Sequence, residues 1–272
     1  MKWKVVFGLL ATVIIGGTSL VSVILYYHFD WAVLADLSFY ENLANPAMRI
    51  VRVEEGLRKE QVADVVGSKL GWSAGEKDQF INTQLAVGDS TGESSLEGYY
   101  FPKTYMMAFY DDPLTVSKIM LHAFQTQTSS IVKTKSTKVI NQDTAVKIAS
   151  IIQREAGGKK DMRLISGIIW NRLFKGMKLQ MDATVQYAKG SSEDGWWPKV
   201  NPSDISSIDS PYNTYKYPSL PPTPIASPGL DAIAAAYNPQ STNCIFYIHD
   251  KNHQIHCAST YAQHLKNIVR YY

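Results

Sequence analysis

The sequence predicts an α+β protein led by a single membrane-spanning helix. Three observations carry this: one long uncharged apolar run at the N-terminus, several later segments with apolar residues at helical spacing, and short strand patterns that never settle into a regular βαβ rhythm. The chain has 272 residues, 45% of them hydrophobic and 19% charged, a globular rather than disordered composition. A formal net charge of only +3 argues against a dedicated nucleic-acid binder. Two cysteines exclude a four-cysteine zinc site and a multi-disulfide scaffold.

Residues 5–27 carry no charge and are mostly apolar. As a helix they would extend roughly 34 Å, enough to cross a hydrocarbon core of about 30 Å. Lys2 and Lys4 precede the run, Asp30, Asp36 and Glu41 follow it, and no Lys or Arg recurs before Arg49. The positive-inside rule then places residues 1–4 in the cytoplasm and everything after the run outside. A cleaved signal peptide is the alternative, but the run ends in the bulky sequence Val23-Ile24-Leu25-Tyr26-Tyr27, without a small-residue cleavage site.

Residues 28–48 read as a connector. A strand follows at Ile50-Val51-Arg52-Val53, then a helix with Val62, Val65, Val66 and Leu70 on one stripe. Ser73 and Glu76 form a capping-box start for a second helix toward Leu85. The stretch from Val87 to Ser95 reads as a loop, and this first small unit is bounded at 49–95. From 96 to 272 the chain reads as a larger mixed domain. It opens with an aromatic stretch, Leu96 to Tyr105, and a helix begins at Pro113. Asn141 or Asp143 can cap a helix over Thr144–Ala156, and another helix spans about Asp161 to Phe174. Residues 188–229 are rich in loop formers, and a short helix covers Leu230–Tyr237. Cys244–His249 and Gln254–Cys257 read as a hairpin, with a last helix after Ser259. A two-residue turn at Asp250-Lys251 would set Cys244 opposite Cys257 for a disulfide, and a one-residue slip would remove it.

Glu155 stands out chemically. It lies three and four residues after Ile152 and Ile151, so it projects from the apolar face near the end of its helix. Burial and the negative end of the helix dipole both raise a carboxyl pKa, and a carboxyl protonated near neutral pH is what a general acid needs. The plainer alternatives are a side chain leaving the last turn, or one paired with Arg163 or Arg172. From Leu179 to Tyr187 polar and apolar residues alternate. In extended form Gln180, Asp182, Thr184 and Gln186 would share a face able to read sugar hydroxyls; a solvent-facing strand edge leading to a helix cap is the simpler reading. Ser210 to Tyr215 is a turn carrying Asn213 and Tyr215. Trp196 and Trp197 offer stacking surface or ordinary burial. The six histidines show no metal-ligand spacing, so no metal and no cofactor is expected.

Taken in order, Leu96-Glu97-Gly98-Tyr99-Tyr100-Phe101-Pro102-Lys103-Thr104-Tyr105, Ile151-Ile152-Gln153-Arg154-Glu155-Ala156, Asn171-Arg172-Leu173, Leu179 to Ala188, Ser210 to Tyr215, Leu220 to Ile225 and Asn238-Pro239 resemble the YceG-like endolytic murein transglycosylases. The resemblance runs from about Ile50 to the C-terminus. It implies a single-pass protein of the bacterial cytoplasmic membrane acting outside on peptidoglycan glycan strands. It implies that Glu155 is catalytic and that the 49–95 unit is LysM-like. The short connector, of about 20 residues, would keep the site near the bilayer where nascent strands emerge, which predicts cell-wall synthases as partners. Gln180, Asp182, Thr184, Gln186, Asn213, Tyr215 and Glu97 are then the candidates for binding substrate. The implied reaction cleaves the bond between N-acetylmuramic acid and N-acetylglucosamine and leaves 1,6-anhydro ends. A muramidase-type hydrolase with Asp182 or Glu97 as a second carboxylate, and a non-enzymatic glycan-binding scaffold, are the alternatives. Lys103, Gln153, Met181 and Cys257 depart from the family pattern, and only the short connector stands where longer members carry a further LysM-like unit.

Overall fold

Strand β1 (Met48–Arg52) pairs with β4 (Thr104–Ala108), and this pairing frames the first part of the fold. The computed structural model describes residues 45–87, 92–132 and 140–271. Residues 49–272 cluster as one unit, separate from residues 1–48. The expected membrane run 5–27 lies outside the described residues, as does the connector up to residue 44. Among the described residues no helix is long and apolar enough to cross a membrane.

Between β1 and β4 lie α1 (Lys59–Leu70) and α2 (Ala74–Asn82). Val62, Val66 and Leu70 of the expected stripe are buried, and Gly71, at φ +74°, ends α1 in the left-handed conformation that glycine adopts without strain. Ser73 and Glu76 form the expected capping box, each accepting the other's backbone N–H. The second helix stops at Asn82, short of the expected Leu85. Thr83 turns extended, and Gln84–Ala86 becomes β2, paired antiparallel with β3 (Glu93–Ser95). The expected loop thus ends in a strand. Because β4 lies beyond residue 95, the β1–β4 pair ties the 49–95 stretch to the residues that follow it.

The aromatic stretch after β3 is core. Leu96, Tyr99, Tyr100 and Phe101 are buried, and the Tyr100 hydroxyl donates to Phe80 O at 3.0 Å. Gly98 has φ +83°, and a Cβ there would lie 2.4 Å from Pro224 Cβ, so no other residue fits. Helix α3 (Pro113–Thr128) begins at the Asp112 cap, with Val116, Met120 and Phe124 buried.

Helix α4 (Gln142–Glu155) is the helix around which several others of the 49–272 unit pack. Asn141 caps it, accepting the Thr144 N–H at 2.8 Å, while the other candidate cap, Asp143, pairs with Lys147. Ala145, Ile148, Ala149, Ile151 and Ile152 are fully buried. Around α4 pack α5 (Lys159–Phe174), α6 (Asp182–Lys189) and α8 (Leu230–Tyr237). A short α7 (Pro202–Ser207) interrupts the loop-rich stretch. The chain closes with the hairpin β5 (Phe246–His249) and β6 (Ile255–Ala258), then α9 (Tyr261–Tyr271).

Cys244 and Cys257 form a disulfide, but not in the expected register. Tyr247, not Cys244, faces Cys257 across the hairpin. The turn is longer than two residues because the Asp250 carboxylate accepts the Asn252 and Gln254 N–H groups. Cys244, just before β5, reaches Cys257 diagonally, with 5.8 Å between the Cα atoms.

Helix α5 carries Gly167 where the 240–242 segment crosses it. A Cβ at that position would stand 2.2 Å from Gln240 O. In an exposed helix Gly→Ala stabilises by about 1 kcal/mol. Here the sign should reverse: Gly167→Ala is expected to destabilise by about 1–3 kcal/mol, since the backbone must move to admit the methyl group. Urea unfolding of the two proteins checks this, and a more stable variant would show that the segment yields freely.

Candidate active site

The last turn of α4 delivers Glu155 to a cavity of about 310 Å³. Gln180, Asp182 and Tyr215 line one side of it. Arg172, Tyr247 and Phe246 line another, and Tyr261 and His264 of α9 complete it. A larger cavity of about 400 Å³ lies elsewhere, beside Tyr99, Lys147 and Thr223; its carboxylate, Asp143, is already paired with Lys147. The smaller cavity is the one with acid–base chemistry.

Two donors address the Glu155 carboxyl group. The Tyr247 hydroxyl donates to Oε2 at 2.7 Å, and the Ala183 N–H donates to Oε1 at 3.3 Å. Ala183 lies in the first turn of α6, so the carboxyl at the end of one helix meets the free amides at the start of another. Burial is the largest influence and holds the Glu155 pKa above its ordinary value of 4.5. The two hydrogen bonds oppose that rise, the negative charge of Asp182 adds to it, and His249 works against it. Burial pushes the Tyr247 phenol well above its ordinary value, with the Glu155 charge acting in the same direction, so the phenol remains a donor near neutral pH.

Arg172 ties the walls together. It is 6% exposed, its Nε donates to Ile245 O at 2.7 Å, and its guanidinium also donates to Leu179 O. One buried cation therefore holds both the approach to β5 and the segment entering α6. At the far end of β5, His249 Nε2 lies 3.3 Å from the Asp161 carboxylate on α5. The disulfide fixes the strand's near end.

The stretch after Leu179 does not form the extended polar row that alternation suggested. Gln180 takes φ +51°, its N–H donates to Thr214 O, and the chain turns helical at Asp182. Helical spacing turns Asp182 and Thr184 in different directions. Asp182 stays in the cavity and accepts the Tyr215 hydroxyl at 2.6 Å. Thr184 is fully buried and shares a hydrogen bond with Thr214 at 2.9 Å, so it supports the site rather than facing it. Gln186 is half-buried and does not line the cavity. Asn213 is fully buried. Its amide donates to Ile205 O and Ile208 O while its oxygen accepts the Tyr215 N–H, so it shapes the turn that presents Tyr215. Glu97, 1% exposed, is absent from the cavity lining and bonds to Tyr187 and Lys59 instead. Trp196 and Trp197 lie outside the cavity beneath the Arg58 and Arg154 guanidiniums. Of the alternative partners for Glu155, Arg163 donates to Asn238 O, whereas Arg172 shares the cavity.

Sequence reasoning missed Tyr247 and the aromatic side of the cavity. Alternation along β5 sets Tyr247 and His249 on one face, and that was the available signal. Among the described residues no group of three His, Cys, Asp or Glu side chains is placed to hold a metal ion.

Tyr247→Phe removes a hydrogen bond that favours the charged carboxylate. The Glu155 midpoint should therefore rise, by about half a pH unit or more, since one pH unit corresponds to about 1.4 kcal/mol and a hydrogen bond to a charged group is worth that much or more. Carboxyl-carbon NMR titration of glutamate-labelled protein reads this directly; a midpoint that stays or falls would mean the phenol does not stabilise the carboxylate.

The chain matches the family model described as YceG-like over residues 31–270. It is 37% identical over 241 residues to a Bacillus subtilis (strain 168) protein named endolytic murein transglycosylase, covering 81% of this chain and 64% of that one. A Streptococcus pneumoniae (strain D39) protein of the same name is 27% identical over 248 residues, covering 83% of this chain and 45% of that one. The chain thus spans about two thirds or less of the length of these relatives. A crystal structure of a yceG-like protein from Listeria monocytogenes superposes with a TM-score of 0.67 at 25% identity, over 82% of this chain and 76% of that one. Matched over most of its length, the chain belongs to the YceG-like family.

Proposed function

We propose that the protein is a lytic transglycosylase that cuts within peptidoglycan glycan strands. The observation carrying this reading is Glu155: a single carboxyl with raised proton affinity, open to a polar cavity and held by donors on both oxygens. The relatives named endolytic murein transglycosylases supply the substrate class.

In this reading protonated Glu155 gives its proton to the glycosidic oxygen between N-acetylmuramic acid and N-acetylglucosamine. The C1–O bond breaks, and the N-acetylglucosamine side leaves as an alcohol. The muramyl C6 hydroxyl attacks C1, and the Glu155 carboxylate takes its proton. A 1,6-anhydro ring closes, no water is consumed, and Glu155 ends as it began. The carboxylate formed between the two proton transfers is stabilised by the Tyr247 hydroxyl and the Ala183 N–H. Asp182, oriented by Tyr215, adds negative charge opposite the oxocarbenium-like centre. That same carboxylate is why hydrolysis is the second reading: a carboxyl pair can instead activate water.

The anchor belongs to the proposal too. Residues 5–27 supply the span, with the cavity outside the bacterial cytoplasmic membrane. Residues 28–48 would then reach at most about 70 Å if fully extended. Such a short tether suits nascent strands beside their synthases, the partners proposed here, and ending of their elongation. The two consecutive helices α1 and α2 that follow β1 within residues 49–95 are the feature that supports a LysM-like unit there.

Full-length protein in detergent and its Glu155→Gln variant should be incubated with un-crosslinked glycan strands and the products weighed by mass spectrometry. Anhydro-muramyl ends are expected from the wild type, falling at least about 100-fold in the variant, which has lost its proton donor. Reducing ends would establish hydrolysis, and intact strands from both proteins would overturn the enzymatic reading.

A further inference from the structure

Glu97 was expected near the substrate, yet it is buried away from the cavity. It is nonetheless joined to Glu155 through one short helix. The Glu97 carboxyl accepts the Tyr187 hydroxyl at 3.0 Å and the Lys59 N–H, in the first turn of α1, at 3.2 Å. Tyr187 belongs to α6, whose first turn supplies the Ala183 N–H to Glu155. The Arg58 guanidinium grips the same residue, donating to Tyr187 O at 3.0 Å and lying 4.0 Å from the centre of its ring. Four residues, one helical turn, separate Ala183 from Tyr187, so the two carboxyls hold the two ends of a rigid strut.

We propose that Glu97 is a positioning residue that fixes α6 against α1, so that the Ala183 N–H stays directed at Glu155. This rests on the reading of Glu155 as the acid, and it goes beyond that reading by linking the first unit to the reacting carboxyl. An N–H···O contact of 3.3 Å is already long, so a small displacement of α6 would lose it. A bond to the charged form lowers a carboxyl pKa, so losing it raises the Glu155 midpoint. Removing a nearby negative charge through space would do the opposite and lower it. The sign of the shift therefore separates a strut from a field effect.

The surroundings of Glu97 allow the test. Arg58, Glu60, Tyr187, Tyr212 and Tyr100 are the titratable groups coupled to it. Burial, then the charge of Glu60, push the Glu97 carboxyl up to about 7 against the pull of Arg58 and its two hydrogen bonds. A neutral amide is thus compatible with the pocket. Gln can accept the Lys59 N–H through its oxygen and donate from its nitrogen to the Tyr187 hydroxyl, which serves either role.

The experiment uses full-length wild-type protein, Glu97→Ala, Glu97→Gln and Tyr187→Phe. The last removes only the phenol bond and guards against Glu97→Ala failing to fold. Without substrate, carboxyl-carbon NMR should show the Glu155 midpoint raised by about half a pH unit or more in Glu97→Ala and Tyr187→Phe, the size expected from one weakened charge-assisted bond, and restored in Glu97→Gln. With glycan strands, kcat should fall about tenfold in the first two variants, roughly the weight of one such bond, with KM nearly unchanged. An unchanged or lowered Glu155 midpoint in folded Tyr187→Phe would overturn the proposal. The expected NMR shifts in a protein that cleaves no glycan would uphold the strut and overturn the enzymatic reading instead.

Discussion

The site depends on two helix ends meeting at one carboxyl group. Helix α4 ends at Glu155, where its own carbonyls disfavour a negative charge. Helix α6 begins beside it, where free amides favour one. The Ala183 N–H and the Tyr247 hydroxyl compensate burial only in part, so the pKa stays raised. The carboxyl therefore holds its proton more firmly than an ordinary glutamate, the direction required of a group that acts first as acid and then as base. The apolar face of α4 makes the balance possible. Ile148, Ile151 and Ile152 are fully buried, so the backbone that carries Glu155 has little freedom to move.

The rest of the fold brings distant segments to that point. Arg172 on α5 reaches the Ile245 and Leu179 carbonyls, binding the approach to β5 and the approach to α6 with one side chain. A buried guanidinium satisfied by carbonyls is costly to replace, because any shorter side chain leaves those oxygens unpaired. The disulfide and the His249–Asp161 contact hold the two ends of β5, and the strand between them presents Tyr247. Asn213 does for Tyr215 what Arg172 does for Tyr247: it satisfies loop carbonyls from within and fixes the residue that lines the cavity.

Much of this was legible in the sequence because helical periodicity reports burial. The spacing of Ile148, Ile151 and Ile152 located both α4 and the face from which Glu155 projects. Ser73, Pro113 and Asn141 marked true helix starts. Alternation misled between Leu179 and Tyr187, where an eight-residue helix is too short to display its own period and its start is set by distant Thr214. Thr184 was chosen by alternation, Asn213 by a turn signal and Glu97 by the family resemblance. None of these signals tells whether a polar group faces a ligand or satisfies buried partners, and here all three are turned inward. Tyr247 lay hidden because its partner is 92 residues away and no local pattern records such a contact.

In the proposed reaction Glu155 works with a hydroxyl of the substrate and not with water. Cleavage of un-crosslinked glycan strands in water enriched in oxygen-18, read by mass spectrometry of the new ends, tests it most directly. Attack by the muramyl hydroxyl gives anhydro-muramyl ends with no heavy oxygen incorporated. One heavy oxygen at each new reducing end would mean that Glu155 and Asp182 activate water, and would contradict it.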